Sequence, residues 1–264
     1  MKTRFAIRTA VAALVGGAIL TYAQPAQAVE FSAHKNDSAE VNAIQVKGRI
    51  DDGDTFELQL HIASLPKKPS VVVYLDSPGG SLREGLRLGR FFHQARIETV
   101  VEAKARCTSA CALAFLGGHD NTGKLKRTKS TSGAVGFHSF SREFDKSQTY
   151  SAQDLAYVLQ KTQTEIFGVA EYLRAIGADP DVLRIMLRAP ANEMNFISND
   201  DALALGILVF DEKRNKLIEP ELVLNGLDRS RPTADNTPAP AGTTGTGAGT
   251  GTPARVVFRV QSAS

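Results

Sequence analysis

Three short stretches carry residue types suited to acyl-transfer chemistry: "SPGG" at 77–80, "CTSAC" at 107–111 and "GFHSF" at 136–140. Ser109 stands where a polar strand end gives way to the apolar run "ACALAF". A serine there is ordinarily a helix N-cap. The same position exposes its hydroxyl at the positive end of a helix, with the Ala110 N–H beside it, which suits a nucleophile next to an oxyanion donor. His138 lies in a β run among small and aromatic residues. Alone, such a histidine is a satisfied core residue; paired with a serine it is a general base. Gly79 and Gly80 leave backbone N–H groups uncovered just before a helix, where the partial charge is positive and an anion is favoured. A turn that needs positive φ would use the same two glycines. Cys107 and Cys111 are rival nucleophiles, but neither sits at the helix-start position.

These residues need elements that bring them together. Strands are expected at 41–50, 69–76, 97–105 and 133–140, and near 208–210 at the end of "FISNDDALALGILVF". "PSVVVYLD" is a continuous β-branched run, as in a strand buried on both faces. Helices are expected within 51–65, over 81–96 and 109–118, from Ser151 to about Ile176, over 179–190, and after a cap at Ser198 or Asn199. Gly85 and Gly89 fall on the apolar face of the 81–96 helix and are expected to seat it close to the sheet. Strands alternating with helices imply an α/β fold with a mainly parallel sheet. "SREFDKSQTY" at 141–150 reads as a mobile loop.

The chain opens with a basic head at Lys2, Arg4 and Arg8, an apolar run to about Leu20, and Ala26-Gln27-Ala28. This reads as a cleavable signal peptide over 1–28, cut after Ala28, and too short for a membrane span. Without its three basic residues the 31 Lys+Arg fall to 28, equal to the 28 Asp+Glu. A near-neutral mature chain argues against nucleic acid or an anionic membrane surface as main partner. The expected location is periplasmic or secreted. "TPAPAGTTGTGAGTGTP" at 237–253 cannot build a core, so residues 229–264 read as a flexible tail and 29–228 as one folded domain. The only two cysteines, Cys107 and Cys111, suggest a disulfide in an oxidising compartment, feasible if the segment turns between strand and helix. Two cysteines make a poor metal site, and neither GxxxxGK[ST] nor GxGxxG occurs, so no metal, nucleotide or other cofactor is expected. His34, His61, His93 and His119 read as surface or satisfied residues.

Taken in order, "IQVKGRID", "VVVYLDSPGGSLREGL", "CTSACALAFLGG", "GAVGFHSF" and "FISNDDALALGILVF" resemble the ClpP-like serine peptidases of the ClpP/crotonase superfamily over residues 44–210. The resemblance implies repeated β-β-α units with flanking helices. By position it makes Ser109 the nucleophile, His138 the general base, and the Gly80 and Ala110 N–H groups the oxyanion hole. It places the third triad member just before the last helix, where the matching residue is Met194. Glu193 or Asn195 could orient His138 instead, as could Asp76 or Asp179. A Cys107–Cys111 disulfide would clamp the nucleophile turn. A Ser–Lys dyad, known in signal-peptide peptidases of this superfamily, would need a lysine such as Lys161 aimed at Ser109. The implied activity is hydrolysis of peptides or unfolded polypeptides by a self-assembled enzyme, without an ATP-driven unfoldase because export separates it from ATP. The rival readings are a periplasmic peptide-binding or scaffold protein that has lost turnover, supported by Met194, and a crotonase-type acyl-CoA enzyme, which export and the Ser/His pair disfavour.

Overall fold

The computed structural model describes residues 28–139, 147–190 and 192–220. The signal-like segment up to residue 27, loop residues 141–146 and the tail from 229 lie outside the described residues. The described residues belong to the unit Met1–Glu221; a second unit, Leu222–Ser264, lies outside them.

In chain order the elements are β1 (Glu30–Ala33), β2 (Val41–Lys47), α1 (Asp54–Ser64), β3 (Ser70–Asp76), α2 (Leu82–Ala95), β4 (Glu98–Val101), β5 (Arg106–Thr108) and α3 (Ala110–Phe115). There follow β6 (Arg127–Ser130), β7 (Ala134–Phe137), α4 (Ala152–Ala175), α5 (Asp181–Arg188), β8 (Asn195–Phe196), α6 (Asn199–Ala204), β9 (Leu208–Asp211) and β10 (Lys216–Ile218). A seven-stranded sheet runs β1-β2-β3-β4-β6-β9-β10. Its five inner strands are parallel, and β1 and β10 add antiparallel edges. A smaller sheet, β5-β7-β8, pairs β5 with β7 in parallel. The chain therefore twice runs from a strand of the large sheet to a strand of the small sheet to a helix: β4-β5-α3 and β6-β7-α4. This is an α/β fold with a mainly parallel main sheet.

Apolar β-branched sequence explains the inner strands β2, β3 and β4: Val46, Val73 and Val101 are fully buried, as parallel strands covered on both faces must be. Helix α2 starts at Ser81, whose hydroxyl accepts the Glu84 N–H, and ends at Arg96 in the left-handed region, φ 55°. Glu84 is almost wholly buried, and its carboxylate accepts the Thr55 N–H at 2.8 Å, tying α2 to the first turn of α1. Burial pushes its pKa up, but hydrogen bonds from Thr55, Gly53 and Arg87 outweigh that and leave it lowered.

One expectation needs correction, and one strand was not expected. Gly85 and Gly89 do not face the sheet. A Cβ on Gly85 would lie 2.5 Å from the Ala110 carbonyl oxygen, and one on Gly89 would overlap the Tyr172 hydroxyl. They let α2 approach α3 and α4. The unexpected strand is β6, "RTKS", a central strand that hydrophobic patterning does not show. Arg127 and Lys129 within it are 1% and 2% exposed. The Arg127 guanidinium donates to the Leu116 carbonyl at the end of α3, 2.7 Å, and to the Leu205 and Gly206 carbonyls at the end of α6, 3.4 and 3.5 Å. A cation is stabilised at the negative ends of two helices, so it can stay charged in the interior. Burial lowers its pKa to about 10, still well above neutrality.

His93, in the last turn of α2, places Nδ1 3.1 Å from Nδ1 of His119, which is 5% exposed and lies 3.0 Å from the Gly117 carbonyl. Burial first, then His119 and Arg96, hold the His93 pKa below its ordinary value. The folded state thus resists protonation. Its contribution is complete above the unfolded histidine value, about 6.5, and is lost as pH falls through and below it. We predict a Tm that drops between about pH 7 and pH 5, with the drop reduced in His93→Gln. Thermal unfolding across pH checks this; an equal drop in the variant would assign the acid sensitivity to other groups.

Candidate active site

Strand β5 delivers the chain to Thr108, and α3 begins at Ala110. Ser109 makes the whole turn between them, at φ 57° and ψ −122°. Non-glycine residues adopt that region only where the surroundings enforce it. The N-cap role expected of such a serine is not taken: the hydroxyl makes no cap bond to α3. It lies 2.7 Å from Nε2 of His138 instead.

The small sheet brings these two together. In the β5–β7 register Thr108 stands opposite Gly136, and the Ser109 N–H donates to the Gly136 carbonyl at 2.9 Å. His138 follows directly on β7. Its Nδ1 is 2.8 Å from the Ser139 carbonyl oxygen. A carbonyl only accepts, so Nδ1 carries the proton; in the neutral ring Nε2 then holds the lone pair, and the Ser109 hydroxyl donates to it. That is the polarity a general base needs.

"SPGG" docks directly on the Ser109 turn. The Thr108 N–H donates to the Ser77 carbonyl at 3.1 Å, and the Thr108 hydroxyl to the Pro78 carbonyl at 3.1 Å. Gly79 has φ 90°, and a Cβ there would lie 2.5 Å from the Thr108 carbonyl oxygen and 2.9 Å from the Ala110 nitrogen. Gly80 has φ 151°, and a Cβ there would overlap the Ile50 carbonyl. The backbone on either side is pinned, with the Ile50 N–H donating to the Gly79 carbonyl at 2.9 Å and the Ser81 N–H to the Ile50 carbonyl at 2.8 Å. So the turn requires both glycines. It also leaves N–H groups for a ligand: among the described residues no acceptor takes the N–H of Gly80 or of Ala110.

Gly80, Ser109, Ala110 and His138 line one cleft of about 320 Å³. Leu82, Leu113, Phe137 and Met186 form apolar wall, and Ser139 and Glu165 complete it. Glu165 comes from α4 and Met186 from α5, and nothing in the local sequence points to either. Cys107 and Cys111, both fully buried, lie at disulfide distance with Cα atoms 5.1 Å apart, one on each side of Ser109.

The residues expected to orient His138 lie elsewhere. Asn195 pairs opposite Phe137 in β8 and donates to the Ile185 carbonyl at 3.4 Å. Glu193 is exposed in the preceding turn. Neither hydrogen-bonds His138 among the described residues. The reason is strand alternation. Continuing the β7–β8 register sets Met194 opposite His138, and its side chain packs on the Gly136 face. Asp76 accepts the Arg106 N–H and pairs with Lys47, and Asp179 accepts the Asp181 N–H. Lys161 is exposed on α4. The group on Nδ1 is the backbone carbonyl of Ser139, which residue types do not reveal.

Of the remaining histidines, His34 stacks on Tyr74 with ring centroids 3.7 Å apart and bonds Glu102 at 3.1 Å. His61 lies on α1, 6.1 Å from Phe31. Among the described residues no helix is long and apolar enough to cross a membrane. Compared with known proteins, the chain matches no family model and no curated sequence.

Proposed function

We propose that this protein is an exported serine peptidase of the ClpP-like type, with the ClpP/crotonase fold, that cleaves peptides or unfolded polypeptides without ATP. One observation carries the reading: the Ser109 hydroxyl is withheld from capping its own helix and turned onto Nε2 of His138. The uncommitted N–H groups of Gly80 and Ala110 beside it support the reading, as does the twice-repeated β-β-α connection.

In this mechanism Ser109 Oγ attacks the scissile carbonyl while Nε2 of His138 takes its proton. The N–H groups of Gly80 and Ala110 hold the oxyanion. His138 returns the proton to the leaving amine. It then takes a proton from water, whose oxygen attacks the acyl-enzyme, and gives that proton to the departing Ser109 Oγ as the acid is released. The Ser139 carbonyl keeps the imidazole in the working tautomer. Being neutral, it stabilises the imidazolium less than a carboxylate would, so the base is weaker than in a full triad. Export to the periplasm or beyond fits the basic-apolar head and the cysteine pair. Self-assembly fits α4, which exposes Leu155, Tyr157, Leu159 and Phe167.

That no carboxylate among the described residues meets Nδ1 favours one second reading: a groove that binds peptides without turning them over. A fluorophosphonate probe separates the two. The expected result is covalent labelling of the purified, oxidised protein, mapped to Ser109 by mass spectrometry and absent in Ser109→Ala. A folded wild type that takes no label would overturn the peptidase reading and leave the binding one.

A further inference from the structure

We infer that the Cys107–Cys111 disulfide is an activation latch: oxidation moves Ser109 from a helix-capping conformation to the one that faces His138. The inference rests on the serine-peptidase reading for its consequence, but not for its geometry.

The bridge ties Cys107, within β5, to Cys111, in the first turn of α3, with Cα atoms 5.1 Å apart. Three residues lie between, and the middle one is Ser109 in a backbone region that costs free energy for any side chain. A serine before an apolar helix has a relaxed alternative, in which it takes extended φ/ψ and its oxygen accepts an N–H from the first turn of that helix. Ser81, Ser151 and Ser198 do this at the starts of α2, α4 and α6. Ser109 alone among these four serines does not, and it alone is bracketed by a cysteine pair. In the dithiol form nothing covalent fixes the ends of the turn. Ser109 then caps α3, its hydroxyl leaves Nε2, and the Ala110 N–H turns from the cleft.

The chemistry is thiol–disulfide exchange. One cysteine thiolate attacks a disulfide oxidant, either a small molecule or an oxidising protein of the export compartment. The other thiolate then attacks the protein sulfur of that mixed disulfide and displaces the oxidant's second thiolate. The 107–111 bond forms, the oxidant's S–S bond is broken, and its two sulfurs take up, through solvent, the two protons lost by the cysteines and leave as thiols. The chain would thus be inert while reduced, before export, and competent after it.

The test couples residue 109 to the cysteine pair. Glycine accepts the observed turn without strain. Ser109→Gly should therefore raise the Tm of the oxidised protein by about 2–4 °C, and should leave unchanged or lower that of Cys107→Ala/Cys111→Ala. The same comparison with and without dithiothreitol, with thiols counted, serves if the double variant does not fold. Equal rises in both backgrounds would overturn the latch. The fluorophosphonate arm reads the consequence: labelling about 10²-fold slower in reduced or double-alanine protein held below its Tm. Labelling at the oxidised rate in fully reduced protein would also overturn it. An oxidised wild type that never labels would sink the peptidase reading, while the Tm comparison would still decide the latch.

Discussion

Alanine at His138 is expected to slow fluorophosphonate labelling of Ser109 by about 10³-fold while leaving the fold intact. An alcohol is a poor nucleophile at neutral pH unless a base takes its proton as it attacks. In the proposed mechanism the base is already in place, with Nε2 2.7 Å from the hydroxyl and Nδ1 fixed as the donor by the Ser139 carbonyl. Removing the imidazole would remove the proton acceptor but not the proposed oxyanion donors, which are backbone groups of Gly80 and Ala110. Residual labelling above that of Ser109→Ala is therefore expected. The imidazole is partly exposed at the end of β7, so its loss opens no core cavity and the Tm should move little. Single-turnover labelling rates and thermal melts of the wild type and variant check this. A rate within a few-fold of wild type would mean that the Ser109–His138 contact is structural.

The second large effect falls on stability. Gly80→Ala is expected to cost about 3–5 kcal/mol. The added Cβ would overlap the Ile50 carbonyl, a backbone atom held in place by the Ser81 N–H. No side chain can rotate away to make room, so the "SPGG" segment must part from residues 48–50. The φ of 151° adds strain of its own. Gly53→Ala is the control: its φ is 107°, yet a Cβ there meets nothing within 4 Å. It should cost only the backbone term, about 1 kcal/mol. Denaturant unfolding of both variants separates strain from collision. Equal losses would show that Gly80 is needed only for its φ, and that Ile50 can yield.

Much of the scaffold was readable because its residues obey simple periodicity. The β-branched run of β3, the apolar stripe of α2 and the Ser-x-x-Asp starts of α4 and α6 each state their own structure locally. β6 does not, because Arg127 and Lys129 look like surface residues until two helix ends supply carbonyls for the guanidinium. Nor could Gly85 and Gly89 be assigned to the sheet or to neighbouring helices from one helix's pattern. Spacing showed only that they share a face, and the partner is chosen by tertiary packing. His93 and His119 stand 26 residues apart, and tertiary contacts make them neighbours, among them the His119 N–H bond to the Ile97 carbonyl just after α2.

The candidate site divides along the same line. By itself the sequence determined which side chains were available: a serine at a helix start, two glycines after a buried strand, a histidine at a strand end, and two cysteines around the serine. Each had an ordinary structural use, and local pattern could not choose between the uses, because the choice depends on atoms far along the chain. Tertiary structure decided that the Ser109 hydroxyl turns to His138, since the β5–β7 pairing brings those strand ends side by side. It decided that the turn needs both glycines, since Ile50 and Thr108 crowd the places where a Cβ would go, and that Gly80 also lines the cleft. It also decided that no carboxylate among the described residues meets Nδ1, since antiparallel register sets Met194 opposite His138 and turns Asn195 away. Residue types are local properties, whereas hydrogen-bond partners across a sheet are set by register, and register follows from the packing of the whole domain.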